Sequence, residues 1–257
     1  MLTSRGLNDD LSLALSLAGA ADEITMHFFQ AAALVVRTKS DRTPVSEADE
    51  AVEKMIRGRL ARERPDDGIV GEEFGSTGSQ RRRWIIDPID ATKNYVRGVP
   101  VFATLIGLEE DGRIVAGVVS APAMNRRWWA SRGAGAFCNE RPIRVSRVKS
   151  LKDASIGYDS ITDFDQHQLT DRFLSLARTC ARSRGFGDFW AHMLVAEGAL
   201  DIALEPTVAH WDMAAVQIIV EEAGGRFSTL RGEARPDGGS GVSTNGLLHD
   251  EVLRSMR

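Results

Sequence analysis

Asp87-Pro88-Ile89-Asp90-Ala91-Thr92, directly after the apolar run Trp84-Ile85-Ile86, is the stretch on which the reading of this chain turns. Pro88 fixes its own φ near about −65° and biases Asp87 toward an extended conformation, so a stiff, tight turn is expected. Two carboxylates three residues apart, with the Ile89 carbonyl between them, can face one hard cation while the Ala91 and Thr92 amides face an anion. Oxygen ligands beside amide donors suit Mg²⁺ bound to a phosphate. Taken alone, the six residues also fit a β-turn whose aspartates bond their own backbone.

Three further segments add weight to the first reading. Gly71-Glu72-Glu73 follows Ile69-Val70, which puts two acids at the end of an expected strand. Trp211-Asp212 opens the apolar-periodic run Met213 to Val220 and sets Asp212 at a helix N-terminus. Pro44-Val45-Ser46-Glu47-Ala48-Asp49 opens another helix. Acid sites that each stand where an element begins or ends read as one convergent constellation.

The order and spacing of these pieces resemble the inositol monophosphatase family of magnesium-dependent, lithium-sensitive phosphatases. The resemblance runs from Lys39 and the segment Thr43 to Asp49, through Glu72 and the Asp87 loop, to Trp211-Asp212 and Glu222-Ala223-Gly224-Gly225. Within the family the chain is most similar to the actinobacterial histidinol-phosphate phosphatases. The residues that carry this are Lys93-Asn94-Tyr95-Val96-Arg97-Gly98, Arg127-Trp128-Trp129, Arg184 to Phe189, and Asn245 to Glu251.

At 257 residues the chain can bury a substantial core as one or two closely packed domains. A formal charge of −4 gives no support for a nucleic-acid partner. The basic run Arg81-Arg82-Arg83 reads as a solvated approach to a strand. Cys138 and Cys180 have no metal-ligand spacing and read as reduced thiols of a cytoplasmic protein. The apolar stretch Leu11 to Ala21 is too polar to span a bilayer and lacks a basic leader, so no membrane partner is expected.

Helical spacing runs from Asn8 to about Val35, with Asn8 or Asp9 as cap, and again from Glu47 to Arg62 with Ser46 as N-cap. Asp49 then falls where it completes a capping box with Ser46. Two apolar runs around Glu110-Asp111-Gly112-Arg113 predict a hairpin between Val101 and Ser120. Trp128-Trp129-Ala130 and Ile143-Arg144-Val145 read as strands, as does Ala199 to Leu204. Helical patterns return at Gln166 to Arg178, Trp190 to Gly198 and Met213 to Ala223. Sequence pattern alone gives a mixed α and β (α+β) class. The resemblance implies a layered α-β-α-β-α sandwich, one unit over 1–257, with an N-terminal half 1–145, a C-terminal half 146–257 and the metal site between them.

The resemblance also assigns roles. Asp87 bridges two Mg²⁺ ions, with Glu72 and the Ile89 carbonyl on one and Asp90 and Asp212 on its neighbour. Asp49 and Thr92 orient and deprotonate the attacking water, and Glu73 is a candidate for the water shell of the metal. The phosphate rests on the amides of Ala91 and Thr92, with Lys93 adding charge. Most family members carry glycine at position 91; the alanine keeps the N–H and is tolerated if its φ is negative. Glu205 matches a position that contacts the organic part of family substrates, and Asp188 and Arg184 lie in a segment typical of the histidinol-phosphate enzymes.

A cationic ester asks for acids in its pocket, because a buried ammonium left unpaired costs about 3–5 kcal/mol. Polyols also bind carboxylates, so the acids alone do not choose; it is the local resemblance that implies Mg²⁺-dependent hydrolysis of L-histidinol phosphate in histidine biosynthesis. A broad inositol or sugar monophosphatase is the alternative; a bisphosphate nucleotidase or a silent phosphate-ligand binding protein ranks below it. Family members are commonly homodimers, and one of Trp128 and Trp129 is expected at a subunit surface.

Overall fold

The computed structural model describes residues 4–31, 34–38 and 44–257, so Lys39 and Thr43 lie outside the described residues. In chain order the helices are α1 (Ser4–Phe28), α2 (Glu47–Glu63), α3 (Thr92–Val96), α4 (Ile161–Gln166), α5 (Thr170–Thr179), α6 (Asp188–Ala196), α7 (His210–Glu222) and α8 (His249–Ser255). The first strands are β1 (Val36–Thr38), β2 (Pro44–Ser46), β3 (Gly68–Gly71), β4 (Gly75–Thr77), β5 (Arg82–Asp90), β6 (Ala103–Glu110), β7 (Arg113–Ala121) and β8 (Arg126–Ser131). After them come β9 (Gly135–Cys138), β10 (Arg141–Ile143), β11 (Ser155–Tyr158), β12 (Arg182–Gly185), β13 (Ile202–Glu205), β14 (Arg226–Ser228) and β15 (Gly241–Thr244).

Among the described residues, one eight-stranded sheet has the order β10-β9-β8-β7-β6-β5-β3-β4, and a five-stranded sheet has the order β12-β11-β13-β15-β14. Helices α1 and α2 cover the outer face of the larger sheet, where Leu17, Ala18, Val52 and Ile56 meet Trp84, Ile86 and Val118. Helices α6 and α7 fill the space between the sheets, with Phe189, Met213 and Ile218 against Ile85, Leu105 and Val119. Helices α4, α5 and α8 cover the far face of the smaller sheet through Phe164, Phe173, Leu176 and Val252. The architecture is the expected α-β-α-β-α sandwich.

Its layering follows from the sequence. Every residue of α7 from Met213 to Val220 is buried, as a helix enclosed by two sheets requires. A Cβ at Gly117 would lie 2.6 Å from Ile218 Cγ2, so that glycine is what lets α7 approach β7. Strand β5 is continuously apolar through Trp84-Ile85-Ile86 because helices cover both of its faces. The β6–β7 hairpin turns at Asp111 (φ 48°) and Gly112 (φ 75°), where the sequence placed it.

Several boundaries differ from expectation. Helix α1 starts at Ser4, so Asn8 and Asp9 lie inside it, and it ends at Phe28 because Gln30 takes a left-handed conformation (φ 60°). The pattern from Gln166 to Arg178 breaks into α4 and α5 around Gln168 (φ 57°). Strand β10 stops at Ile143, and β13 begins at Ile202 rather than Ala199. Asp87 to Asp90 is the end of β5, not a tight turn. Its register against β6 shifts between Asp87 and Asp90, and the Pro88 carbonyl accepts from the Thr104 hydroxyl at 2.7 Å. The bulge accommodates the proline and re-aims the acids that follow.

The arginine run is ion-paired rather than merely solvated: Arg82 with Asp10 and Asp67, Arg83 with Glu109, Arg81 with Asp111. It begins β5 at the end opposite to the acids. Both cysteines are free and buried. Trp128 is buried and Trp129 only half-buried, in keeping with alternate faces of β8. No helix among the described residues is long and apolar enough to cross a membrane.

Candidate active site

The ends of three elements converge on one place. Strand β3 delivers Glu72, the bulged end of β5 delivers Asp87 and Asp90, and the first turn of α7 delivers Asp212. All four line a cavity of about 690 Å³ together with Ile89, Ala91, Thr92, Lys93, Asp159, Asp163 and Asp188.

Two of these acids are anchored by backbone amides. Asp212 Oδ2 accepts from the Ala209 amide at 2.7 Å, the helix-start bond expected of an acid at the third helical position. Asp90 Oδ2 accepts from the Phe189 amide at 2.8 Å, which ties the end of β5 to the start of α6. Asp87 is only 2% exposed, and its buried Oδ1 has no hydrogen-bond partner among the described residues. Asp87, Asp90 and Asp212 each offer an oxygen within 4.8 Å of the others.

Such a cluster is electrostatically costly. Burial first, then the charges of Glu72, Asp90, Asp212 and Asp49, push the Asp87 carboxyl well above the usual range. Burial and the charges of Asp188 and Asp212 do the same to Asp90. Asp212 is pushed up to about 7, chiefly by burial. Three oxygen-bearing groups forced together, one with an orphaned buried oxygen, fit a hard divalent cation, which would remove the repulsion and fill the vacant bond.

Asp49 stands beside this set at the start of α2. It is fully buried, and its Oδ2 accepts from both the Ser46 amide (2.8 Å) and the Ser46 hydroxyl (2.6 Å). Thr92 Oγ lies 3.5 Å from Asp49 Oδ1 and donates to the Ile89 carbonyl at 2.9 Å. Burial raises Asp49 to about 6, against the pull of its Ser46 bonds. Ala91 precedes α3 with φ 65° and ψ 43°. The condition of a negative φ is not met: the alanine sits in the left-handed region that glycine would occupy at no steric cost, yet it keeps its N–H.

The inositol monophosphatase family pattern matches residues 8–257. The chain belongs to that family. It is 56% identical to a protein of Mycobacterium tuberculosis named histidinol-phosphatase, over 97% of this chain and 98% of that one. It is 53% identical to the histidinol-phosphatase of Streptomyces coelicolor, over 95% and 96% of the two chains. Among solved structures, an inositol monophosphatase of Thermotoga maritima matches with a TM-score of 0.87 and 33% identity, over 96% of each chain.

The remaining sequence candidates divide against this family frame. Lys93 is exposed at the cavity, and its charge acts on Asp159 and Asp188. Asp188 opens α6 with φ 49°, and burial and neighbouring acids push it well up. Glu205 ends β13, is 6% exposed, and is pushed up to about 8 by burial and by Asp159 and Asp163. Glu73 is not among the lining residues; its amide donates to Glu53 at 2.7 Å.

Arg184 does not join the site. It is exposed on β12, donates to the Ser183 carbonyl at 2.7 Å, and lines a different cavity with Arg178 and Arg182. It stands on the outermost strand of the smaller sheet and is not among the residues that line the acidic cavity. Sequence reasoning missed Asp159 and Asp163, which line the cavity from the loop after β11 and from α4. The only available signal was two acids spaced four apart around a serine N-cap, a pattern common at ordinary helix starts.

Proposed function

We propose that this chain is a divalent-metal-dependent phosphatase that hydrolyses L-histidinol phosphate to L-histidinol and phosphate. The observation that carries the reading is the junction of Asp87, Asp90 and Asp212, with an unpartnered Asp87 Oδ1, in a cavity whose wall also carries Glu72, Asp159, Asp163 and Asp188. The named histidinol-phosphatases that it resembles over nearly its full length give the substrate.

In this scheme Glu72, Asp87, the Ile89 carbonyl, Asp90 and Asp212 hold more than one Mg²⁺, and sensitivity to lithium is expected. Bound there, the cations would neutralise phosphoryl charge and lower the pKa of a water. The chain's own groups do the rest. Asp49, raised to about 6, takes the proton of the attacking water through the Thr92 hydroxyl once that hydroxyl turns its proton from the Ile89 carbonyl to Asp49 Oδ1, 3.5 Å away, and its pKa near neutrality suits a general base. The Ala91 and Thr92 amides hold phosphate oxygens, and Lys93 adds positive charge at the mouth. Asp188 and Glu205 face the ammonium and imidazole of the substrate, where an inositol ester would bring only hydroxyls. Glu73 serves the outer water shell. The reading takes the chain as one unit acting in the cytoplasm as a homodimer, with half-buried Trp129 at the subunit surface.

Steady-state kcat/KM for L-histidinol phosphate and for myo-inositol 1-phosphate, each with Mg²⁺ and with EDTA, tests this. A higher value for the histidinol ester, lost in EDTA, is expected. A higher value for the inositol ester rejects the substrate, and turnover indifferent to EDTA rejects the metal scheme.

A further inference from the structure

Behind the acidic wall lies a buried histidine that the reaction scheme leaves unused. His192, on α6, is fully buried, and its Nε2 has no hydrogen-bond partner among the described residues. The nearest acid is Glu205, whose Oε1 is likewise buried and unpartnered, and the two atoms are 3.4 Å apart. On the other side of the ring, Nδ1 lies 2.6 Å from Ser243 Oγ.

The sheet explains why these groups meet. Strands β13 and β15 pair antiparallel with Ala203 opposite Ser243 and Glu205 opposite Gly241. Residues opposite one another, and those two further along, share a face. Ser243 and Glu205 therefore project from the same side, and the imidazole bridges them from α6. Gly241 packs against the same group: a Cβ there would lie only 2.8 Å from Met213 Sδ and in ordinary contact, 3.6 Å, with His192 Cε1.

Burial holds His192 neutral, down to about 3, so it cannot act as a counter-ion to Glu205. A neutral imidazole carries one N–H. In the tautomer in which Nδ1 accepts from the Ser243 hydroxyl, that proton sits on Nε2, 3.4 Å from Glu205 Oε1, where a small turn of either group completes a hydrogen bond that neither atom yet makes among the described residues. The second carboxyl oxygen of Glu205 is left for a ligand. Glu205 is not itself a lining residue but stands close behind the cavity wall: its charge acts on Asp90, Asp188 and Asp212, and Thr207, two residues on, lines the wall.

We propose that His192, set in its tautomer by Ser243, fixes the Glu205 carboxyl group to receive the cationic part of the substrate. His192 is thus a positioning residue for substrate selection. This inference rests on the proposed function, since it needs an ester whose organic part is a cation. It makes a prediction that a packing role does not: loss of the imidazole acts on cationic esters selectively.

The experiment compares wild type, His192→Leu, His192→Gln and Ser243→Ala on L-histidinol phosphate and on myo-inositol 1-phosphate, with the Tm of each variant recorded. His192→Leu should raise KM for the histidinol ester by about tenfold, the size of one hydrogen bond to a charged group, with kcat and the inositol ester little changed. His192→Gln, which keeps an N–H near the Nε2 position, should restore most of the loss. Ser243→Ala, a smaller change that keeps the assay interpretable should the leucine variant not fold, should raise the same KM more weakly. Placed in a Glu205→Gln background, His192→Leu should add nothing. Equal shifts on both esters, or none on either, overturn the inference while a wild-type preference for histidinol phosphate still upholds the function. A wild type without that preference overturns both.

Discussion

Ala91→Gly is expected to stabilise this protein, and the reason lies in one dihedral. Ala91 holds φ 65° and ψ 43° between the end of β5 and α3. An L-residue in that region carries a penalty of about 1–2 kcal/mol from its Cβ against the neighbouring carbonyl. Glycine removes the penalty but returns about 0.5–1 kcal/mol through its greater freedom in the unfolded chain. The net gain is about 0.5–1 kcal/mol, or a Tm higher by roughly 1–4 °C in a chain of this size. Differential scanning calorimetry in EDTA measures it without a contribution from bound cations. Ala91→Val should move the other way, because a β-branched side chain is least tolerated at positive φ. Both variants keep the backbone N–H, so the glycine variant should change KM for the phosphate ester by less than about twofold, well under the worth of one hydrogen bond. A lower Tm for Ala91→Gly, or a higher one for Ala91→Val, would refute the strain argument.

Two other variants probe the acids. Asp87→Asn should cut kcat by about a thousandfold or more, since cation-borne charge stabilisation is worth several kcal/mol; with EDTA present its Tm should equal or exceed that of wild type, because a buried repulsion has been relieved, and a collapsed apo variant would show that Asp87 is a packing residue. For Glu205 the folded-state value of about 8 stands above the ordinary 4.5, so the folded protein holds this proton more tightly than the unfolded chain does. Its contribution is full below about pH 4.5 and is lost as pH rises to about 8, at most about 5 kcal/mol. The Tm of metal-free wild type should therefore fall across that window more steeply than that of Glu205→Gln, and parallel curves would remove Glu205 from the account.

Local chemistry made parts of the fold legible and left others hidden. Ser46 and Asp49 announced α2 because a cap and its acid are adjacent in sequence, and the bond between them is made. Asp111-Gly112 announced the hairpin because both residues accept φ above zero. Pro88 misled: it removes a ladder donor and suggests a turn, yet a register shift lets β5 run on to Asp90. The end of α1 at Phe28 was hidden because Gln30 is an unusual residue for a left-handed stop. Among site residues, the motif acids were readable because each stands at an element boundary. Asp159 and Asp163 were not, since only the pairing of β11 with β13 brings them to the cavity, and His192 was not, since only the packing of α6 on the smaller sheet sets it behind the wall. Arg184 shows the converse: it shares a segment with Asp188, but an edge strand carries it outward.

The cation site itself is open to direct observation by anomalous diffraction from crystals soaked in Mn²⁺. Density between the Asp87, Asp90 and Asp212 carboxylates, with Asp87 Oδ1 as a ligand, is the predicted result. An active enzyme whose three carboxylates hold no ion under those conditions would contradict the account at its root.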